Sequence, residues 1–369
     1  MRVIKKIFKV LGIILLVLLG IIILGLLTTT IIHRVNLKRN KDFLAEQGLY
    51  QPVSVGDHSL NLVNYGGAED GHRIIGFSGS GSGFPLQFRQ LASELKQENQ
   101  VYYLARAGYD GSDDVKDDMT VSFVVEDYRK ALQNAGVEAP YVLMPHSYSG
   151  TLITYWVSKY PEEVEAVIDL DTTILSDIND LTDEQLAELE DETGSMGIFR
   201  TMINLGIGDV AGNMFFPADE SYSADDQRAD RALALMTFGS RAFYAEMSHV
   251  LDNWREIDSV FHPTDVPKLY ISAENGYETL EEFKAADRLS EQRINKLTED
   301  FSGTGEARRE KAYELEWAEM QEYKTETMQP YFDRLGNVTV ANLPGGHWVH
   351  EDQPAACAEV ITDFLHDLD

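Results

Sequence analysis

Leu143-Met144-Pro145-His146-Ser147-Tyr148-Ser149-Gly150 runs from an apolar strand straight into a helix, with a serine at the joint. A sharp strand-to-helix turn of this kind lifts a hydroxyl to the edge of a sheet. It tolerates only small residues close to the serine, because its backbone is tight. Ser149 and Gly150 meet that demand on the helical side, while Pro145 stands where glycine is commoner. Taken alone, the string also suits an ordinary connecting loop.

Around this stretch the chain alternates short apolar runs with helical patterns. Strands are expected at Ser59–Tyr65, His72–Phe77, Gln100–Leu104, Tyr141–Met144, Val164–Leu170, Lys268–Ser272 and Val338–Leu343. Helices are expected at 86–98, 121–135, 150–159 and 355–367. Short, continuously apolar strands separated by helices predict an α/β fold, a doubly wound and mostly parallel sheet with helices on both faces. Residues 172–262 show no strand pattern and hold acidic amphipathic helices, one opening at Thr182 with Gln185 three positions on, as in a capping box. Met196, Phe199, Met202 and Ile203 recur there at near-helical spacing, which suits packing onto the core or a face turned to a site. Residues 277–332 form a second helical block, broken at Gly303-Thr304-Gly305. Its charged half, Glu306–Phe332, reads as a solvated face.

Two further segments carry chemistry. Leu343-Pro344-Gly345-Gly346-His347-Trp348 takes a strand into a glycine pair and then a histidine, which lets an imidazole fold back toward a distant hydroxyl. His350 competes with His347. Phe77-Ser78-Gly79-Ser80-Gly81-Ser82-Gly83-Phe84 is a glycine-rich turn directly after a strand. Its spacing fits neither a P-loop nor a dinucleotide fingerprint, but its backbone N–H groups suit an oxyanion.

The order of these segments resembles the α/β-hydrolase superfamily: glycine-rich loop, elbow serine, late histidine. Leu104-Ala105-Arg106-Ala107-Gly108-Tyr109-Asp110-Gly111-Ser112-Asp113 is similar to the family's Asp-Leu-Arg-Gly-x-Gly-x-Ser-Asp stretch. Gly346-His347-Trp348, Pro354 and Phe364-Leu365 are similar to its closing segment. The resemblance covers about residues 55–172 and 265–367. It implies that Ser147 attacks an acyl carbon and that His347 is its base. It also implies that the N–H groups of Tyr148 and Ser80 form the oxyanion hole, and that 172–262 is a helical lid. It implies neither a cofactor nor a metal. A serine at the elbow speaks against the family branches that use aspartate there, such as dehalogenases and epoxide hydrolases.

The acid departs from the family pattern. The family's usual aspartate position falls near Gly276 in Ile271-Ser272-Ala273-Glu274-Asn275-Gly276-Tyr277. Two substitutes stand open: Asp171, at the end of the preceding strand, and Glu274. An acid at either place would orient the histidine and stabilise its imidazolium.

The N-terminus reads as a signal-anchor. Val10–Ile32 is 23 residues without a charge. As a helix this is roughly 35 Å, enough to cross a bilayer core of about 30 Å. Four basic residues precede it and four follow, so charge alone does not orient it. The expected organisation is a basic N-terminus (1–9), a transmembrane helix (10–32), a polar neck with a short helix (33–54), the hydrolase core (55–171 and 263–369), a lid (172–262) and an insertion (277–332). The body is expected outside the cytoplasmic membrane. Of 31 basic residues in the chain, eight lie in the first 41, where there is no acid; the remaining 23 face 61 acidic ones. So acidic a body is expected to repel nucleic acid and anionic membrane surfaces. Cys357 is alone, which rules out an intramolecular disulfide and a cysteine metal cluster. The expected partner is a small acyl substrate, with an ester first, an aminopeptidase or acyltransferase reaction second, and a non-catalytic anchored binding module third. The third gains if no carboxylate reaches His347.

Overall fold

A computed structural model of the chain describes residues 2–117, 119–175 and 196–368. Eight strands form one sheet: β1 (Pro52–Ser54), β2 (Ser59–Gly67), β3 (Arg73–Phe77), β4 (Gln100–Leu104), β5 (Tyr141–Pro145), β6 (Val164–Leu170), β7 (Lys268–Ser272) and β8 (Val338–Asn342). Their spatial order is β1-β2-β4-β3-β5-β6-β7-β8. The first two pairings are antiparallel and all from β4 to β8 are parallel.

Side chains alternate across the sheet, as strand geometry requires. On β5, Leu143 joins the hydrophobic cluster that holds the helices Val121–Ala135 and Ser149–Lys159, whereas Val142 and Met144 join the cluster on the other face, with the helices Arg89–Leu95 and Pro354–His366. Both faces are covered, so every β5 residue is buried and the strand has no polar stripe. Seven strands sit within a residue or two of the expected positions. The eighth, β1, lies in the stretch expected to be neck; three residues on a sheet edge leave too short a pattern to read.

A second difference concerns the same stretch. The N-terminal helix runs unbroken from Arg2 to Glu46, where a membrane span followed by a separate short helix was expected. Between Leu26 and Gln47 there is neither glycine nor proline to stop it. Gly48, at φ 71°, closes the helix in the left-handed conformation that glycine adopts without strain. Its last turns do not hang free: Phe43 and Leu44 are buried against Leu86, Ala229 and Leu233.

Between β6 and β7 the described residues from 196 to 262 are mostly helical, and the sheet receives no strand from them. The capping box expected at Thr182 lies outside the described residues. Phe199 and Ile203 pack within this helical segment, Phe199 against Phe215, Phe216 and Phe238. In the block 277–332 the helices Leu280–Ala286, Glu291–Leu297 and Glu306–Tyr323 gather beside a small cluster of Tyr277, Phe283, Tyr313 and Met320, while Met328, Tyr331 and Phe332 join the main core. Ion pairs such as Arg293–Glu316 and Arg309–Glu291 cross its surface, as a solvated charged face would have it.

Candidate active site

Parallel strands deliver their C-terminal ends to one edge of the sheet, and the chemistry-bearing residues gather there. β5 ends at Pro145, opposite Phe77 of β3. A proline is tolerated because the strand is finishing and the next N–H, that of His146, takes up the bond to the Phe77 carbonyl at 3.0 Å. Ser147 then takes φ 53°, a left-handed conformation that costs a non-glycine residue of order 1–2 kcal/mol. The turn is braced from several sides. The Ser147 N–H donates to the Leu170 carbonyl at 3.4 Å, and the Ser147 carbonyl accepts from Thr173. Ser149 Oγ accepts from the His146 N–H at 3.0 Å. A Cβ on Gly79 would lie 2.6 Å from the Ser147 Cβ, and one on Gly150 would lie 2.5 Å from Thr172. The glycine-rich loop therefore crowds the serine itself, the helix crowds the segment after β6 at Thr172, and no larger residue fits at either glycine.

His347 arrives from the loop after β8. Its Nε2 is 2.9 Å from Ser147 Oγ and its Nδ1 is 2.9 Å from Asp171 Oδ2. Asp171 follows β6 directly, again with positive φ (46°). Its second oxygen accepts from the Ala273 N–H at 2.8 Å, so both carboxylate oxygens are held. Burial opposes protonation of His347, but the hydrogen bond and charge of Asp171, with the charge of Glu274 added, outweigh it and hold the imidazole above its usual value. A hydroxyl so placed can pass its proton to the ring as it attacks an acyl carbon.

Of the two carboxylates left open by the sequence, Asp171 makes the hydrogen bond to His347. Glu274 is exposed and hydrogen-bonds to nothing among the described residues, though its carboxylate lies within 4.8 Å of both partners. At the family's usual acid position, a Cβ on Gly276 would come within 2.3 Å of the Ser272 carbonyl. This backbone has no room for a side chain there. Asp171, Glu274 and His347 are also the described group with atoms close enough for a metal. Both nitrogens of His347 are already committed, to Ser147 and Asp171, so an ion would have to displace one of those bonds.

His350, the competing histidine, does not reach the serine. It is fully buried between Phe84 and His146, and neither ring nitrogen finds a partner among the described residues. Burial drives its pKa well down, keeping the ring neutral. His146 is pushed down to about 4, by burial first and by the nearby His347 second. Its Nε2 donates to the His347 carbonyl at 2.9 Å and so steadies the loop that carries the imidazole.

The N–H groups of Tyr148 and Ser80 donate to no acceptor among the described residues. Arg106, one of the residues of the Leu104–Asp113 stretch, fixes the orientation of the second. Its guanidinium donates to the carbonyls of Ser78 (2.7 Å) and Gly79 (3.0 Å). In a trans peptide the C=O and the following N–H point opposite ways. Holding the Gly79 carbonyl therefore turns the Ser80 N–H away from Arg106. The arginine is 1% exposed and paired with Glu246, itself fully buried on the helix Arg241–Ser248 between β6 and β7. The Arg106 Nη2 to Glu246 Oε2 distance is 2.8 Å, and Tyr109 Oη donates to the same oxygen at 2.5 Å. This pair had no signature in the sequence. Glu246 sits 140 positions from Arg106, in a segment whose acidity masks any one residue.

A family model described as "Alpha/beta hydrolase family" matches residues 72–360. Over 168 residues the chain is 34% identical to the uncharacterized protein YbdG of Bacillus subtilis (strain 168), a match covering 45% of this chain and 50% of that protein. A 26% match over 125 residues links it to the probable transporter efuK of Hormonema carpetanum, covering 32% of this chain and 18% of that one. The chain thus spans half or less of the curated relatives it matches. Among solved structures, Cfl2 from Burkholderia cenocepacia superposes with a TM-score of 0.56 at 19% identity, covering 86% of this chain and 95% of that one. The haloalkane dehalogenase DatA from Agrobacterium tumefaciens C58 does so at 0.55 and 16%, covering 86% and 96%. At such identities the likeness is one of fold.

Proposed function

The chain belongs to the alpha/beta hydrolase family, and from that premise we propose that it is a membrane-anchored serine hydrolase that cleaves a carboxylic ester or related acyl substrate. The observation that carries the proposal is the unbroken relay from Ser147 Oγ through the His347 ring to Asp171, at 2.9 Å on each side. Ser147 attacks the acyl carbon while His347 Nε2 takes its proton. The oxyanion is met by the N–H groups of Tyr148 and Ser80, which have no competing acceptor. As the tetrahedral species collapses, His347 returns the proton to the departing alkoxide, leaving an acyl-enzyme. Water, activated by the same ring, then releases the acid and restores the serine. Asp171 holds the ring with Nδ1 protonated and Nε2 free to accept.

A haloalkane dehalogenase reaction is disfavoured because the elbow residue is a serine, not the aspartate that such chemistry alkylates. The non-catalytic reading was to gain if no carboxylate reached His347; the 2.9 Å contact with Asp171 supports the catalytic one. The helices from 196 to 262 serve as the lid and the apolar run Val10–Ile32 as the anchor, with its described 18-residue window highly apolar and unburied.

The test is turnover of a panel of acyl esters and amino-acid amides by the full chain in detergent, with intact-mass detection of a stalled acyl-enzyme. Ester turnover with an acyl adduct on Ser147 supports the proposal. Preference for amides moves the reading to an aminopeptidase, and turnover undiminished in Ser147→Ala refutes it.

A further inference from the structure

The N-terminal helix and the lid are joined at one level of the helix. Thr29 Oγ1 donates to the Leu205 carbonyl at 2.6 Å. His33 Nδ1 lies 2.6 Å from Asp209 Oδ2, and Asn36 donates to the other oxygen at 2.8 Å. His33 is 1% exposed. A Cβ on Gly206 would come within 2.2 Å of the Thr29 carbonyl, so the two backbones touch. The contact begins inside the apolar run and ends just beyond it. With about 35 Å of apolar helix against a hydrocarbon core of about 30 Å, Thr29 falls at the boundary between acyl chains and headgroups. A lid bonded to Thr29 sits at that depth.

The surface of the lid beside this contact is apolar. Ile198, Val210 and Met214 are 68%, 72% and 75% exposed, more than any other large apolar side chain outside the N-terminal helix among the described residues. They lie on three short neighbouring helices, Met196–Asn204, Ile207–Val210 and Gly212–Phe215, and Val210 directly follows the Asp209 that binds His33. Behind them Phe199, Phe216, Phe238 and Phe243 form a series of ring contacts, mostly edge-to-face or tilted, that reaches Tyr109, which bonds the Glu246 that pairs with Arg106. On the N-terminal helix, Arg34, Lys38 and Arg39 are exposed just past the apolar run, the level of lipid phosphates.

We propose that this part of the lid is a second membrane contact, with Ile198, Val210 and Met214 entering the interfacial zone of the bilayer beside the anchor, and that Ser147 consequently draws an amphiphilic, long-chain ester from the membrane rather than from water. Lipid is the occupant because Val210 adjoins the Asp209–His33 contact, on a helix whose own apolar length fits a bilayer. The proposal rests on Val10–Ile32 being the anchor and on Ser147 being the nucleophile.

The test uses the full chain in phosphatidylcholine–phosphatidylglycerol vesicles containing spin-labelled lipid. In a Cys357→Ala background, an environment-sensitive fluorophore is attached to Met214→Cys, to Ile22→Cys within the anchor, or to Glu314→Cys on the charged block. The lipid label is expected to quench Met214 and Ile22 but not Glu314. Alongside, a Val210→Asp/Met214→Asp variant is compared with wild type on a vesicle-embedded long-chain ester and a short soluble ester. The ratio of the two rates is expected to fall roughly tenfold, since two apolar contacts with lipid are exchanged for charges. Quenching at Ile22 without quenching at Met214 would overturn the lid contact and leave the anchor standing. Absence of quenching at both would overturn the anchor and the proposal with it. Quenching at Met214 with neither ester turned over would remove the substrate half of the proposal together with the hydrolase reading.

Discussion

The ends of β6 and β7 both bring a carboxylate to His347, and they bring it in different states. After β6, Asp171 is buried, forced to positive φ, and fixed through both oxygens by His347 and the Ala273 N–H. After β7, Glu274 is exposed and unbonded among the described residues. The first is organised before any substrate arrives, while the second contributes a charge screened by water. Orientation of an imidazole needs a fixed acceptor. On the proposed mechanism the directional role falls to Asp171 and a weak electrostatic one to Glu274.

The largest expected effect leaves both acids in place. Ser147→Ala should lower kcat by roughly 10⁵–10⁶-fold, as loss of a nucleophile does, measured on whichever ester the wild type turns over best. It sets the floor against which the acids are compared. Asp171→Asn should lower kcat by about 10⁴-fold, because an amide favours the wrong tautomer of His347. If Glu274→Gln proved as damaging, the division of roles would be wrong. We expect Glu274→Gln to stay within about threefold of wild type, as an exposed charge should.

The pH profile sharpens the same contrast. In the proposed mechanism His347 must be neutral to act, and it is held above its usual value chiefly by Asp171 once burial has been overcome. The acid limb of kcat/KM therefore falls as pH drops through a value above about 6.5. In Asp171→Asn the limb should move to lower pH; in Glu274→Gln it should move the same way by much less. Equal shifts would mean that the two charges act alike.

A separate prediction concerns stability. Glu246→Ala strands the Arg106 guanidinium in the interior, and removing one member of a buried pair typically costs about 3–5 kcal/mol. A lowered thermal midpoint is expected, along with a fall in kcat as the Ser78–Gly79 carbonyls lose their clamp. Glu246→Gln, which keeps one acceptor, should recover part of each.

Much of this arrangement was legible in the sequence because it is local. The Ser147 turn, the Gly345-Gly346-His347 loop and the Ser78–Gly83 loop each declare themselves within eight residues, and the parallel strands follow from uninterrupted apolar runs. The carboxylate that bonds His347 was only half legible. Sequence places Asp171 and Glu274 each at a strand end, but the choice between them turns on backbone turns and distances that no short pattern encodes. Gly276 did carry a signal, since a glycine where an acid is usual marks a backbone too crowded for a side chain. Arg106–Glu246 and the Thr29–Leu205 contact join segments 140 and 176 positions apart; only the fold brings them together.

Whether Ser147 is an activated nucleophile is read most directly from reaction of the full chain with a fluorophosphonate probe, beside Ser147→Ala. Labelling confined to Ser147, lost in the alanine variant and sharply slowed in Asp171→Asn, is the predicted result. A folded wild-type protein that takes up no probe, or a Ser147→Ala protein that labels as well as wild type, would contradict it.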